Sequence, residues 1–123
     1  GRVTGIRVEG RLMAFGIACR GSTHQGNGYA ARCGREEPNS LDFQDVMVDA
    51  SLRRQGVHSA FLARYDAQAR QEGCTAIYAT VDPDNLPSRA SFEKAGYCAV
   101  VTQPAYDGRM RVYYRKPINP WEG

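Results

Sequence analysis

The chain has 123 residues, of which 42% are hydrophobic and 24% are charged, and its formal net charge is +3. This length and composition predict one globular domain, spanning residues 1–123, with a single core. Because the positive residues are scattered rather than gathered in a basic arm, nucleic acid is not indicated as a partner.

The cysteines and the hydropathy of the chain exclude further classes of protein. Cys19, Cys33, Cys74 and Cys98 lie far apart, without a Cys-x-x-Cys pair. This spacing predicts free thiols and no metal site. No run approaches the roughly 18 apolar residues of a membrane span, and no signal peptide opens the sequence. We therefore expect a protein without a membrane partner, located in a reducing cytoplasm.

The first half of the chain predicts three strands and one long loop. Apolar residues within 3–8 and 12–19 indicate a β-hairpin turning at Glu9-Gly10. Residues 21–40 are rich in Gly, Asn, Ser and charge, and a loop of this length without periodicity is usually functional or disordered. Residues 41–48 predict a mostly apolar strand, which Asp42, Gln44 and Asp45 interrupt.

The second half alternates between helix and strand. Val57, Phe61 and Tyr65 share one face of a helix that Gly73 ends. Residues 75–81 predict a buried parallel strand, and residues 86–95 a second helix capped by Asp84 or Asn85. Strands over 97–102 and 110–114 complete the order. The class is α/β, with a single mixed, mainly antiparallel sheet flanked by helices.

The turn before the first long helix is a candidate anion site. Arg53, Arg54 and Gly56 lie at the helix start, beside its unpaired amides. The positive end of the helix dipole favours phosphate, and a glycine lets the ligand approach the backbone.

Two motifs in this order resemble the acyl-CoA-dependent N-acyltransferases of the GNAT superfamily. The family's Gln/Arg-x-x-Gly-x-Gly/Ala turn corresponds to residues 53–58, although His58 stands where the second small residue is usual. Its Asn-to-Glu-Lys-x-Gly-Phe/Tyr block corresponds to residues 85–97. The strand and two helices that normally begin the family are not matched. In the family, those two helices build much of the acceptor pocket. This chain is then a fragment, or another chain supplies that part of the pocket, or the acceptor site is unusually open.

The resemblance implies that acetyl-CoA is the acyl donor. In the family, two parallel strands splay apart and the pantetheine arm lies between them; here these strands are residues 45–49 and 75–81. The cofactor-binding positions that the resemblance implies are Met47, Val48, Arg53, Arg54, Gln55, Gly56, Val57, His58, Ser59, Asn85, Ser88 and Phe92.

The resemblance also gives candidate catalytic residues. Asp42 is the candidate general base, since some relatives carry a carboxylate six residues before the position of Val48; Asp45 is the next choice. An Asp in a strand near a loop is more often a solvated or capping group. Phe92 stands where many relatives place a Tyr that protonates the thiolate, so the usual acid is absent. The geometric substitutes are Tyr106, Tyr113 and Tyr114.

The function that the resemblance implies is transfer of an acetyl group to a primary amine of a small molecule or peptide. Glu36, Glu37, Asp42 and Asp45 precede the site and would suit a cationic acceptor. Two alternatives stay open. The chain is a non-catalytic module of this fold that binds acyl-CoA or a protein, or it is one subunit of an obligate oligomeric enzyme. A homo-oligomer is among the partners considered.

Overall fold

The computed structural model describes residues 2–8, 11–20, 29–35, 37, 39–48, 57–105 and 107–119, with side chains at 29–35, 37, 39–43, 60–105 and 107–119. In this part of the chain, six strands form one sheet and three helices lie against it. The elements in chain order are β1 (Arg2–Val8), β2 (Arg11–Arg20), α1 (Tyr29–Arg32), β3 (Ser40–Val48), α2 (Val57–Gln71), β4 (Ala76–Val81), α3 (Leu86–Lys94), β5 (Cys98–Pro104) and β6 (Met110–Pro117).

The sheet is mixed and mainly antiparallel, as predicted. Its strand order is β1-β2-β3-β4-β6-β5. β3 and β4 pair in parallel, and the other described neighbours pair antiparallel. The parallel pair is joined through α2, as a crossover connection requires.

The two faces of the sheet have different coverings. On what we call the two-helix face, Leu41, Phe43, Ile77 and Tyr114 pack with residues of α2 and α3 in the main core. The other face, which we call the α1 face, carries Ser40, Asp42, Ala76, Tyr78, Tyr113 and Arg115. Side chains alternate between the faces along each strand, so the sequence order fixes these sets.

A short helix within residues 21–40 departs from the prediction of a plain loop. α1 has four residues, too few to show a periodic pattern, and one turn is unstable alone. Tertiary contacts stabilise it instead: Ala30 is buried against Ala76 and Tyr78. This segment therefore becomes the covering layer of the α1 face.

The ends of the longer helices follow the predicted signals. Gly73 has φ +74°, as the residue after a helix commonly requires. The Asn85 side chain accepts a hydrogen bond from the Ser88 amide at 3.3 Å and caps α3. β5 and β6 run farther than predicted, to Pro104 and Pro117. Pro104 is tolerated because β5 lies at the sheet edge.

Candidate functional site

The parallel ladder between β3 and β4 is short and open at one end. It contains four pairs and stops at Phe43 and Ala79, although β3 continues to Val48 and β4 to Val81. Each strand remains paired on its other side, with Val48 opposite Ala14 and Val81 opposite Val112. The two strands therefore part beyond Phe43 and Ala79. Backbone groups facing this gap lack a partner strand among the described residues, and polar backbone groups need water or a ligand there.

A β-bulge lies where the ladder stops. In the pairing of β2 with β3, Ile17 faces Asp45 while Ala18 faces Phe43, so Gln44 is an extra residue. A bulge bends its strand and increases the local twist, which directs β3 away from β4. The sequence analysis did not predict the bulge. Its signal was the adjacent polar pair Gln44-Asp45, which breaks the two-residue alternation of the strand.

Both long helices begin at the open end of this gap. α2 begins at Val57, and α3 begins at Leu86, with four residues between it and the end of β4. In α/β sheets, ligands bind in the crevice outside the carboxyl ends of such strands. The first amides of α2 belong to Val57, His58 and Ser59, and unpaired helix amides favour an anion. The structure thus brings the predicted helix start and the predicted strand pair to one edge.

The predicted cofactor-binding residues fall into three groups. Met47 and Val48 lie in the part of β3 that borders the gap, and Asn85 and Ser88 lie at the start of α3. Arg53, Arg54, Gln55 and Gly56 lie outside the described residues. Asn85 is exposed and already caps the helix, so its placement agrees with the capping role that the sequence analysis also considered. Ligand contacts at all these positions stay predictions.

Phe92 is a core residue at the closed end of the gap. Its side chain is 3% exposed. Its ring centroid lies 5.8 Å from that of Phe43, 5.9 Å from that of Tyr114 and 5.0 Å from that of Tyr97. Packing explains this position fully, whereas a cofactor contact by Phe92 stays a prediction.

Asp42 lies one residue before the last pair of the open ladder, on the α1 face. It is fully buried, and its Oδ2 accepts a hydrogen bond from the Tyr29 amide at 3.1 Å. Tyr29 is the first residue of α1, so the carboxylate satisfies a free amide of that helix. The position suits a general base at the gap, but α1 covers the carboxylate. The side chain of Asp45, the second candidate, lies outside the described residues.

The predicted acidic cluster is neutralised at Glu37. The Arg115 guanidinium donates to both carboxylate oxygens of Glu37, at 3.0 and 2.8 Å, and the hydroxyls of Tyr78 and Thr75 also donate to it. Hydrogen bonds from Arg115 lower the pKa of Glu37 from 4.5 to about 2, against the opposing effect of burial. Glu37 therefore holds its segment on the sheet rather than presenting a free negative charge. Glu36 lies outside the described residues.

We expect Glu37→Gln to lower the free energy of unfolding near neutral pH by about 2 kcal/mol, because hydrogen bonds to a charged group are lost. A carboxyl group with a lowered pKa stabilises the fold above its ordinary pKa and loses that contribution as the pH falls through the folded value. The difference between wild type and variant should hence shrink between pH 4.5 and about 2. Urea unfolding across this range measures it. Asp84→Asn, at an exposed carboxylate, is the charge-matched control; a difference independent of pH would contradict the role of the ion pair.

Of the three candidate acids, Tyr113 and Tyr114 bind or pack against other groups, and Tyr106 lies outside the described residues. The Tyr114 hydroxyl accepts from Arg89 Nε and donates to the Glu93 carboxylate, both at 3.1 Å. Phe92 packs between Tyr114 and Phe43. Tyr113 lies on the α1 face, buried against the edge of the Tyr29 ring, and Tyr106 lies outside the described residues.

Two further searches cover the described part of the chain. There, no group of three or more His, Cys, Asp or Glu side chains is arranged to hold a metal ion. Cys33, Cys74 and Cys98 are free thiols. Within the same ranges, no helix is long and apolar enough to cross a membrane.

A surface cleft of about 350 Å³ lies between α2 and α3 and is separate from the gap. The residues that line it are Leu62, Ala63, Asp66, Ser91, Lys94, Ala95 and Lys116. The positive charge of Lys116 is matched by Asp66, whose Oδ1 lies 3.0 Å from Lys116 Nζ. The cleft lies beside the middle of α2 and the end of α3, whereas the helix N-termini lie toward the gap.

An opened pair of parallel strands, with a helix starting after each, defines an α/β protein with a crevice at the carboxyl edge of its sheet, where proteins of this class commonly bind ligands. The sequence profile of the Acetyltransferase (GNAT) family matches residues 3–97. The chain belongs to this family, which confirms the resemblance of the two motifs. No curated protein matches it.

Solved acetyltransferases share the fold. The chain is similar to the ribosomal-protein-S18-alanine N-acetyltransferase from Escherichia coli, with 19% identity, TM-score 0.71, and coverage of 99% of this chain and 71% of that one. It is also similar to an N-acetyltransferase from Staphylococcus aureus, with 18% identity, TM-score 0.71, and coverage of 95% of this chain and 67% of that one. A third similar structure is an IAA acetyltransferase from Bacillus cereus, with 10% identity, TM-score 0.74, and coverage of 94% of this chain and 77% of that one. At these identities the likeness concerns the fold, and it confirms the predicted fold class.

Proposed function

We propose that the chain is an acetyl-CoA-dependent N-acetyltransferase that moves an acetyl group to a primary amine of a small molecule or peptide. The opening of the β3–β4 ladder beyond Phe43 and Ala79 supports this most directly. An extended ligand with amide groups of its own can pair with strand backbone in such a gap, as an added strand does. The family match over residues 3–97 supplies the reaction class.

Acetyl-CoA fits the described surroundings of the gap. The backbone of β3 near Met47 and Val48 is available to the pantetheine arm, and the helix amides from Val57 to Ser59 are available to an anion. When bound, the donor supplies the thioester and a thiol leaving group. The further residues proposed to hold it are Arg53, Arg54, Gln55, Gly56, Asn85, Ser88 and Phe92.

Asp42 is the proposed general base. A carboxylate that takes the ammonium proton leaves the amine free to attack, and such proton transfer contributes about 10²- to 10⁴-fold to a rate. Asp42 lies at the closed end of the gap but is covered by the first residue of α1. Proton transfer to it therefore requires α1 to withdraw or a water molecule to link amine and carboxylate.

The non-catalytic module is the second candidate. The burial of Asp42 and the core position of Phe92 favour it, since neither residue presents a reactive group to the gap in this structure. A subunit that is active only when a second chain completes the acceptor wall is the third candidate. The proposed enzyme differs from the module because it releases thiol from acetyl-CoA. It differs from the subunit because this release does not require a second chain.

Calorimetric titration of the chain with acetyl-CoA, followed by thiol release against a panel of amines, tests the proposal. We expect micromolar binding and amine-dependent release. Gly56→Val should weaken binding more than about tenfold, or about 1.4 kcal/mol, because a side chain would hinder close approach to the backbone. Gly108→Ala, in the turn before β6, is a control expected to leave the affinity unchanged.

The outcomes separate the candidates. Binding without release at any protein concentration would favour the module, and release that appears only with oligomerisation would favour the subunit. Unchanged affinity in Gly56→Val would remove the pyrophosphate assignment, and a failure of wild type to bind would overturn the proposed function.

A further inference from the structure

One arginine of β6 lies near the open end of the β3–β4 ladder, on the α1 face, with β4 between it and the gap. In the pairing of β4 with β6, Thr80 faces Tyr113 and the last residue of β4, Val81, faces Val112. Arg111 is the next residue of β6, two positions from Tyr113 and hence on the same face. Its Cα lies about 7 Å from that of Tyr113 along the strand. Arg111 thus lies beside the carboxyl end of β4, the edge at which the ladder opens.

The surroundings of Arg111 are ordered. It pairs with Gln103 of β5, whose side-chain amide donates to the Arg32 carbonyl at 2.8 Å. Gln103 therefore places the end of α1 next to Arg111. At the other end of α1, the ring of Tyr29 packs edge-on against that of Tyr113, with centroids 5.8 Å apart. An aromatic pair thus packs on this face beside the part of β6 that carries Arg111.

The described acids near Arg111 bind other groups. The Glu37 carboxylate binds Arg115, and the Asp42 carboxylate accepts from the Tyr29 amide. The exposed Asp82, which follows Val81 directly, accepts from the Asp84 amide. The half-buried Arg111 side chain has neither an ion pair nor a hydrogen bond within the described ranges. An arginine fork binds a carboxylate or phosphate with two parallel hydrogen bonds. The Arg111 guanidinium therefore has hydrogen-bond donors available for an anionic group.

We propose that Arg111 determines acceptor specificity by pairing with an anionic group of the acceptor, so that the preferred substrates are primary amines that also carry a carboxylate or a phosphate. This inference rests on the proposed N-acetyltransferase function. The amine enters the gap near Asp42, and the anion remains at the rim with Arg111. A long-range effect of net charge alone would not distinguish Arg111 from neighbouring surface arginines.

The test uses thiol release with matched acceptors: phosphoethanolamine against ethanolamine, β-alanine against propylamine, and peptides that differ only in Glu or Gln after the N-terminal residue. We expect kcat/KM of wild type to be about tenfold higher for the anionic member of the preferred pair, or about 1.4 kcal/mol. Arg111→Gln should abolish that ratio and leave the rate of the neutral member unchanged. Arg111→Lys should retain part of it, because the charge stays and the fork is lost.

Arg109→Gln is the matched control, since Arg109 is exposed in the same hairpin and the charge change is equal. It should keep the ratio. Release without preference for the anionic members, or a ratio that Arg109→Gln lowers as much as Arg111→Gln, would overturn the assignment of Arg111 while leaving the acetyltransferase standing. Absence of release from every acceptor together with absence of acetyl-CoA binding would instead mean that the proposed function itself fails.

Discussion

Asp42→Asn is expected to lower kcat by at least about 100-fold while leaving the affinity for acetyl-CoA unchanged. Asparagine has nearly the same shape as aspartate. Its side-chain oxygen can still accept the hydrogen bond that the Tyr29 amide donates to Asp42 at 3.1 Å. The attachment of α1 therefore survives. What is lost is the capacity to take a proton from the acceptor ammonium, and this step contributes about 10²- to 10⁴-fold.

Two further variants separate catalysis from structure. Asp42→Ala removes the base and leaves the Tyr29 amide unpaired, so it should also lower the free energy of unfolding by about 1–3 kcal/mol. Ser40→Ala is the control, since Ser40 is a buried neighbour on the same face of β3; it should retain turnover. Wild-type kcat in Asp42→Asn would show that Asp42 serves only as the cap of α1, and Asp45 would become the base to test.

The local part of this architecture could be predicted from the sequence. The period of Phe61 and Tyr65, the cap at Asn85 and the glycine at position 73 are each set by a few neighbouring residues, and the structure has them as predicted. The parallel pairing of β3 and β4 followed from the helix between them. These features depend on propensity and spacing, which short stretches of sequence carry.

Features that depend on distant pairing could not be predicted in the same way. Glu37 and Arg115 are 78 residues apart in the chain, and their ion pair requires the segment after α1 to cross the sheet. The cationic acceptor that the acidic residues near Asp42 indicated stays a prediction, although Arg115 neutralises one of them, Glu37. Similarly, the bulge at Gln44 exists only in the register of β3 against β2. The sequence thus indicated the sheet edge at which the candidate site lies, whereas the partners of its charged groups depend on tertiary contacts.

Phe92→Ala is expected to lower the free energy of unfolding by about 4 kcal/mol, as removal of a buried aromatic ring does. The ring contacts Phe43 of β3, Tyr114 of β6 and Tyr97 before β5. Its loss leaves a cavity beneath α3 that these rigid neighbours cannot close. Urea unfolding measures the change. Leu86→Ala in the same helix is the control, since Leu86 is 65% exposed and should change stability by less than about 0.5 kcal/mol.

Phe92→Leu extends this test to the predicted cofactor contact. Leucine retains most of the apolar volume, so the variant should stay folded with a loss of roughly 1–2 kcal/mol. If Phe92 acts through packing alone, titration of Phe92→Leu with acetyl-CoA gives the wild-type affinity. A loss of affinity in a folded Phe92→Leu protein would instead mean that the ring forms part of the donor site. Because Phe92 contacts Phe43, the last residue of the open ladder, either result also reports how firmly the core holds the closed end of the gap.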